Sequence, residues 1–304
     1  MHLAGAIGKM IGQTTNTSRG TPAKENRDMT DLKQNIAVCS WSLQPSGADD
    51  LVAKVQAVGV TKVQLALNDH RGSAGGAAIA GKLQEAGIEI VSGMFGTVGE
   101  DYSSLDAIRQ TGGVVPDAEW DQNFQIAKDV ADSAADLGLK LVSFHGGFLP
   151  EDTTDPVYAK LTDRLRKIAE VFAAKGINVA LETGQEEASH LAAFLDELAM
   201  PNVGVNFDPA NMILYAKGDP VEGLKVLLPH VMQVHLKDAC WTATPGEWGS
   251  EVVIGTGEVD WVAFLDVLTA GGYTGEMAIE REAGETRIAD ITAGREFIEA
   301  LLAV

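Results

Sequence analysis

Seven times between residues 57 and 280, an apolar-periodic stretch ends in Gly or Pro and runs directly into a short β-branched segment. The Gly junctions are AVGVTKVQLAL (57–67), EAGIEIVSG (85–93), DLGLKLVSFH (136–145), AKGINVALE (174–182) and AGGYTGEMAIE (270–280). The Pro junctions are MPNVGVNFD (200–208) and LPHVMQVHL (228–236). Gly just past a helix end takes the left-handed cap conformation, and Pro cannot continue a helix. With the opening segment NIAVCSW (35–41), the chain therefore carries eight short apolar strands.

Helical patterns separate them. Trp120, Phe124, Ala127, Ala131 and Ala134 step by three and four, as do Val157, Leu161, Leu165, Ile168 and Phe172. Such spacing lines one face of a helix with apolar groups. The stretches around Leu191, Phe194, Leu195 and Leu198, around Val262, Leu265 and Leu268, and around Ile291, Phe297 and Leu301 read the same way. Strands alternating with helices pair in parallel through right-handed crossovers. Eight such units of about 34 residues over 36–304 fit one closed (β/α)₈ barrel better than two doubly wound domains. The expected organisation is a flexible tail at 1–34, with Met29 as an alternative start, followed by a single barrel over 35–304. Two long interruptions, 97–118 and 238–257, follow the third and seventh strands, on the face where such barrels build active sites.

Charge and cysteine usage narrow the partners. Lys+Arg 23 against Asp+Glu 43 gives a net charge of −20, which repels a phosphate backbone and argues against nucleic acid or an anionic membrane. Cys39 and Cys240 make no disulfide framework, and no apolar run approaches the roughly 20 residues that span a bilayer. Lys9 breaks the apolar segment Leu3 to Ile11, against a secretory signal. A soluble, cytoplasmic protein is expected, and a homo-oligomer is compatible with the sequence.

The chemistry gathers at the strand ends. From junction to last polar letter, Gly138 to His145 is seven residues, Gly176 to Glu182 six, Pro201 to Asp208 seven, Pro229 to His235 six and Gly272 to Glu280 eight. A lone carboxylate after a strand is commonly a helix N-cap. Several at matched depth on successive strands would aim unpaired charge into one low-dielectric mouth, which is unfavourable without a cation. Glu182, Asp208, His235 and Glu280 thus read as a metal site of one imidazole and three carboxylates. Such donors suit Mn²⁺, Mg²⁺ or Co²⁺, and also accommodate Zn²⁺. Glu182 and Glu280, three strands apart, would approach the centre from opposed sides, where one removes a proton and the other returns one. A cation that polarises the carbonyl stabilises the enediolate formed in between.

The order ALETG, NFDPAN, VHLKD and AIERE also resembles the xylose isomerase-like barrels, which include sugar phosphate isomerases/epimerases, ketose 3-epimerases and inosose dehydratases. GTGEVDW (255–261) and GYTGEMAIE are similar to the same group, and the resemblance covers roughly residues 35–303. It implies that Glu182, Asp208, His235 and Glu280 bind a divalent metal and that Glu182 and Glu280 form the acid/base pair. Three positions depart from the ketose 3-epimerases: Asn211 stands for their His, Trp241 for their Arg and Ala188 for their second Glu. The metal shell transfers, whereas their substrate shell does not.

Around that shell, His145, Lys237, Trp41 and Asn211 are the expected substrate-binding residues. His145 would orient a substrate hydroxyl or a metal-bound group. Lys237, two residues after His235, points the same way and either holds a substrate oxygen or pairs with Asp238 or another acid. Trp41 either stacks on a sugar ring or belongs to the core. Glu247 and Trp248 are expected lid contacts, Asp69 and His70 a surface loop, and His190 and His230 non-ligands. GTGEVD lacks the third Gly of a dinucleotide fingerprint, and Asp260 reads as a helix cap. The function expected is a metal-dependent sugar isomerase or epimerase acting on a small sugar or polyol. The alternatives are a dehydratase-type lyase of a keto-sugar or inosose, then a metal-dependent nuclease or a silent sugar-binding barrel.

Overall fold

Eight parallel strands close into a barrel in a computed structural model that describes residues 30–68 and 73–303. In chain order they are β1 (Ile36–Cys39), β2 (Lys62–Ala66), β3 (Glu89–Met94), β4 (Leu141–Phe144), β5 (Asn178–Glu182), β6 (Val203–Phe207) and β7 (Val231–Leu236). A hairpin of β8 (Asp238–Cys240) and β9 (Ser250–Val252) follows, and β10 (Met277–Ile279) is the eighth barrel strand, pairing with β7 and β1. Each junction read from the sequence falls between a helix and a strand, and Gly59, Gly87, Gly138, Gly176 and Gly272 all hold positive φ. The chain is a single (β/α)₈ barrel. Of the tail expected at 1–34, residues 1–29 lie outside the described residues, and Thr30–Lys33 form a short helix with Leu32 buried. Asp69 and His70 also lie outside them. Among the described residues, no helix is long and apolar enough to cross a membrane.

The large side chains face outward from the strands, toward the helices. Val38, Leu65, Phe144, Val205, Phe207, Val234 and Ile279 join Leu165, Phe172, Leu195 and Leu268 in one continuous core. Barrel interiors are ordinarily filled by bulky branched residues. Here the alternate, inward positions carry Gln64, Ser92, Ser143, Asn206 and Gln233, all buried, beside a small cluster of Ala37, Cys39 and Ala278. The sheet thus has an apolar outside and a polar inside.

One helical stripe differs from expectation. Val262 is 59% exposed, and the buried face of helix Trp261–Ala270 is Trp261, Phe264, Leu265 and Leu268. The register follows from Trp261, whose indole Nε1 donates to the Asp238 carboxylate at 3.0 Å. Asp238 also accepts the backbone N–H groups of Ala239, Gly255, Gly257 and Val259 at 2.8–3.2 Å. A Cβ at Gly257 would lie 2.2 Å from Asp238 Oδ1, so the GTGEVDW segment is the cradle of one carboxylate. Asp260 caps the helix, accepting from Ala263 N at 3.0 Å.

Two aspartates near one another thus carry unequal structural weight. Asp238→Ala strands several buried donors and is expected to lower stability by on the order of 3 kcal/mol. Asp260→Ala removes an exposed cap and is expected to lose about 1 kcal/mol. Urea denaturation of the two variants checks this, and equal losses would count against the cradle.

Candidate metal centre

Successive strands deliver the four expected ligands to one point at the C-terminal mouth. Glu182 ends β5, Asp208 follows β6, His235 lies in β7 and Glu280 follows β10. One ligand atom from each lies within 4.8 Å of all the others, and all four residues are buried. His235 Nδ1 stands 2.7 Å from Glu182 Oε1, 3.5 Å from Glu280 Oε2 and 3.9 Å from Asp208 Oδ2.

The local sequence explains why each group points inward. Asp208 is the helix cap that a lone aspartate would suggest: its Oδ1 accepts the Asn211 N–H at 3.0 Å, leaving Oδ2 turned to the centre. Thr183 locks the β5 and β6 ends together, its Oγ1 donating to Asp208 O at 3.0 Å and accepting from Asp208 N at 2.8 Å. Gly184, at φ +131°, admits Asn211, whose Cβ would come within 2.5 Å of a Cβ there. Glu280 is held at both oxygens, by Trp41 Nε1 at 2.7 Å and by Lys237 Nζ at 2.8 Å.

His235 is oriented from below by the polar barrel interior. Its Nε2 stands 2.8 Å from Gln64 Oε1, an acceptor, with Asn206 Nδ2 at 3.0 Å. Gln64 is itself held by Ser143 Oγ at 2.8 Å. With one proton fixed on Nε2, loss of the other leaves the Nδ1 lone pair facing the carboxylates, the form a metal ligand requires.

Charge in the centre is closely balanced. Burial disfavours charge on Glu182, but His145 and His235 outweigh it and bring its carboxyl down to about 2. Burial likewise opposes Glu280, and Lys237 and His235 hold it well below the usual carboxylate range. Asp208 goes the other way, pushed up to about 8 by burial against the pull of Lys237. For His235, the adjoining Cys39, Glu280 and Glu182 overcome burial and hold the imidazole well above its usual value. The donor set suits a divalent cation: Asp208 Oδ2 is buried without a hydrogen-bond partner, and the two Glu182 oxygens meet only imidazole nitrogens.

A cavity of about 280 Å³ opens above these residues, and His145, Asn211, Lys237 and Glu280 line it. His145 Nε2 contacts Glu182 Oε2 at 2.8 Å, which lifts the imidazole to about 9 in spite of burial. Lys237 turns away from Asp238 and pairs instead with Glu280 and Glu282, at 2.8 and 2.7 Å. Trp41 touches the centre through its Nε1 but does not line this cavity. Trp248 lines it and packs on Tyr215 with ring centroids 4.7 Å apart, whereas Glu247 is exposed on the same loop. Trp241 is 39% exposed, His190 lies on a helix and His230 precedes β7. Sequence reading missed Tyr102, Tyr215, Glu282 and Gln64. Only Glu282 carried a signal, two residues after Glu280 in AIERE, and Gln64 needed the closed barrel to bring β2 under His235.

Comparison with known proteins bears on the fold and the family. A family model described as a xylose isomerase-like TIM barrel matches residues 52–301. A xylose isomerase domain protein from Planctomyces limnophilus superimposes with a TM-score of 0.82 at 32% identity, covering 88% of this chain and 96% of that one. An L-ribulose 3-epimerase shares the fold at 17% identity, with a TM-score of 0.66 over 88% of this chain and 94% of that chain. Among curated sequences, the uncharacterized protein YihM of Escherichia coli (strain K12) is 30% identical over 145 residues. That match spans 46% of this chain and 44% of YihM.

Two measurements follow from the geometry. Gln64→Leu leaves every ligand in place but removes the Nε2 acceptor, and is expected to weaken Mn²⁺ binding by about 10–100-fold. Unchanged affinity would remove Gln64 from the account. A metal bound here would displace protons held by His235 and Asp208, so apparent Mn²⁺ affinity should rise between pH 6 and pH 8. Calorimetry in buffers of different ionisation enthalpy should show proton release, and a flat pH profile would contradict it.

Proposed function

We propose that this chain, which belongs to the xylose isomerase-like TIM barrel family, is a divalent-metal-dependent sugar isomerase or epimerase. The observation that carries the reading is the pair Glu182 and Glu280, two buried carboxylates on the strands that flank those of His235 and Asp208. Glu182, Asp208, His235 and Glu280 would hold the metal. When bound, that cation supplies electrophilic polarisation of a substrate carbonyl and so acidifies the neighbouring C–H. The metal-dependent activity and the residue roles are supported by the buried donor set and by the epimerase among the similar folds.

The chain's own groups then handle the proton. Glu182, with His145 at its Oε2, and Glu280, fixed by Trp41 and Lys237, face the space in which a carbonyl-bearing substrate fits. Removal by one carboxylate and return by the other inverts or relocates a C–H without any further base. Asn211 and Lys237 stand on the cavity wall, Asn211 to orient substrate hydroxyls and Lys237 to fix the Glu280 carboxylate. The same first step followed by loss of a β-hydroxyl would make the enzyme a lyase, so product analysis decides between the two.

The test is a panel of ketoses incubated in D₂O with the Mn²⁺-loaded chain. Exchange of the α-hydrogen without dehydration is the expected outcome, and loss of water would assign the lyase reaction instead. Chelation should abolish exchange, and Glu182→Gln and Glu280→Gln should each lower it by at least about 100-fold. Full metal occupancy in a Glu182→Ala, Asp208→Ala double variant would overturn the site.

A further inference from the structure

The charge on the cavity wall bears on what the site accepts. Proteins take up phosphates and carboxylates with Arg or Lys groups that are free to form charge-assisted hydrogen bonds. Among the described residues, two cationic side chains line the cavity, and both are committed. His145 lies 2.8 Å from Glu182 Oε2. Lys237 is enclosed by three acids: Glu282 Oε2 at 2.7 Å, Glu280 Oε2 at 2.8 Å and Asp208 Oδ2 at 3.7 Å.

The cations of the adjoining loop are no freer. Arg281 pairs with Glu251 at 2.8 Å and Asp290 at 3.1 Å. Arg287 is folded onto the backbone carbonyls of Gly284, Arg281 and Glu282. Arg109 stacks over Phe148, 5.8 Å from the ring centroid, and does not line the cavity. Glu251 accepts the N–H groups of Glu282 and Ala283 at 3.0–3.2 Å, so the backbone that presents the third acid to Lys237 is itself fixed. Among the described residues, a divalent cation in the centre adds two positive charges opposite three carboxylates and leaves no surplus for an anionic ligand.

What the wall does offer is acceptors and faces. Glu280, Glu282 and Asn211 Oδ1 accept from hydroxyl groups, and the rings of Tyr102, Tyr215 and Trp248 supply apolar surface for C–H groups. The geometry points to an uncharged substrate, a free sugar or polyol carrying neither phosphate nor carboxylate, with Glu282 as the residue that sets this preference by occupying Lys237. The inference rests on the reading of the site as a sugar isomerase or epimerase.

Three ligands that share a reactive end and differ at the far carbon test it: D-fructose, D-fructose 6-phosphate and the ketohexuronate with a carboxylate at C6. Isothermal titration into the Mn²⁺-loaded full chain is expected to show both charged members binding at least ten-fold more weakly than fructose. Equal or tighter binding of either one would overturn the inference, as would failure to bind any of the three. In Glu282→Gln, which removes one of the three negative charges around Lys237, the gap should narrow at least three-fold, and an unchanged gap would remove Glu282 from its role. Because the readout is binding, the two readings fail separately. A chain that shows this order without deuterium exchange keeps the charge preference, and one that exchanges only a charged ketose loses it while keeping the acid–base pair.

Discussion

Three carboxylates that converge on one buried point repel one another strongly, and the rest of the mouth is arranged around that repulsion. Glu182, Asp208 and Glu280 reach the centre because the strands that carry them end at one height. Their charge is matched by His145, His235 and Lys237, each within a few ångströms. The opposite shifts of Asp208 and Glu280 have the same origin: where cations crowd one carboxylate it stays ionised, and where burial dominates the other retains its proton. A divalent ion is a denser charge than an imidazolium and relieves the same repulsion with fewer protons bound.

This arrangement needs a barrel whose inside differs from its outside. The outward strand positions supply the apolar core against the helices, and stability rests there. The inward positions are thereby released from packing duty and carry amides and hydroxyls that fix an imidazole. Division of labour between two faces of one sheet is available because strand residues alternate sides.

Much of this was legible in the sequence, and the reason is periodicity. Gly and Pro junctions mark strand starts through local backbone chemistry, and a fixed strand length then places Glu182, Asp208, His235 and Glu280 at one level. Asp208 combines the cap with a place in the cluster, Oδ1 taking the Asn211 N–H and Oδ2 facing the centre. What stayed hidden depends on contacts between distant segments. Gln64 lies 171 positions from His235. Tyr102 and Trp248 come from loops whose paths no periodic pattern encodes. The pairing of Lys237 turned on where Asp238 points, and that was decided by a cradle of backbone N–H groups that only the folded loop assembles. The exposure of Val262 has the same source, because the anchored indole of Trp261 rotates the helix.

That cradle has a mechanical consequence. Asp238 is separated by Lys237 alone from the strand that bears His235, and the loop it grips continues back through β9 to Trp248. Ligand strand and aromatic wall are therefore pinned at a common base, like a door frame rather than a door. On that side a change at one carboxylate reaches both the imidazole and the Trp248 ring, although neither touches Asp238's own oxygens.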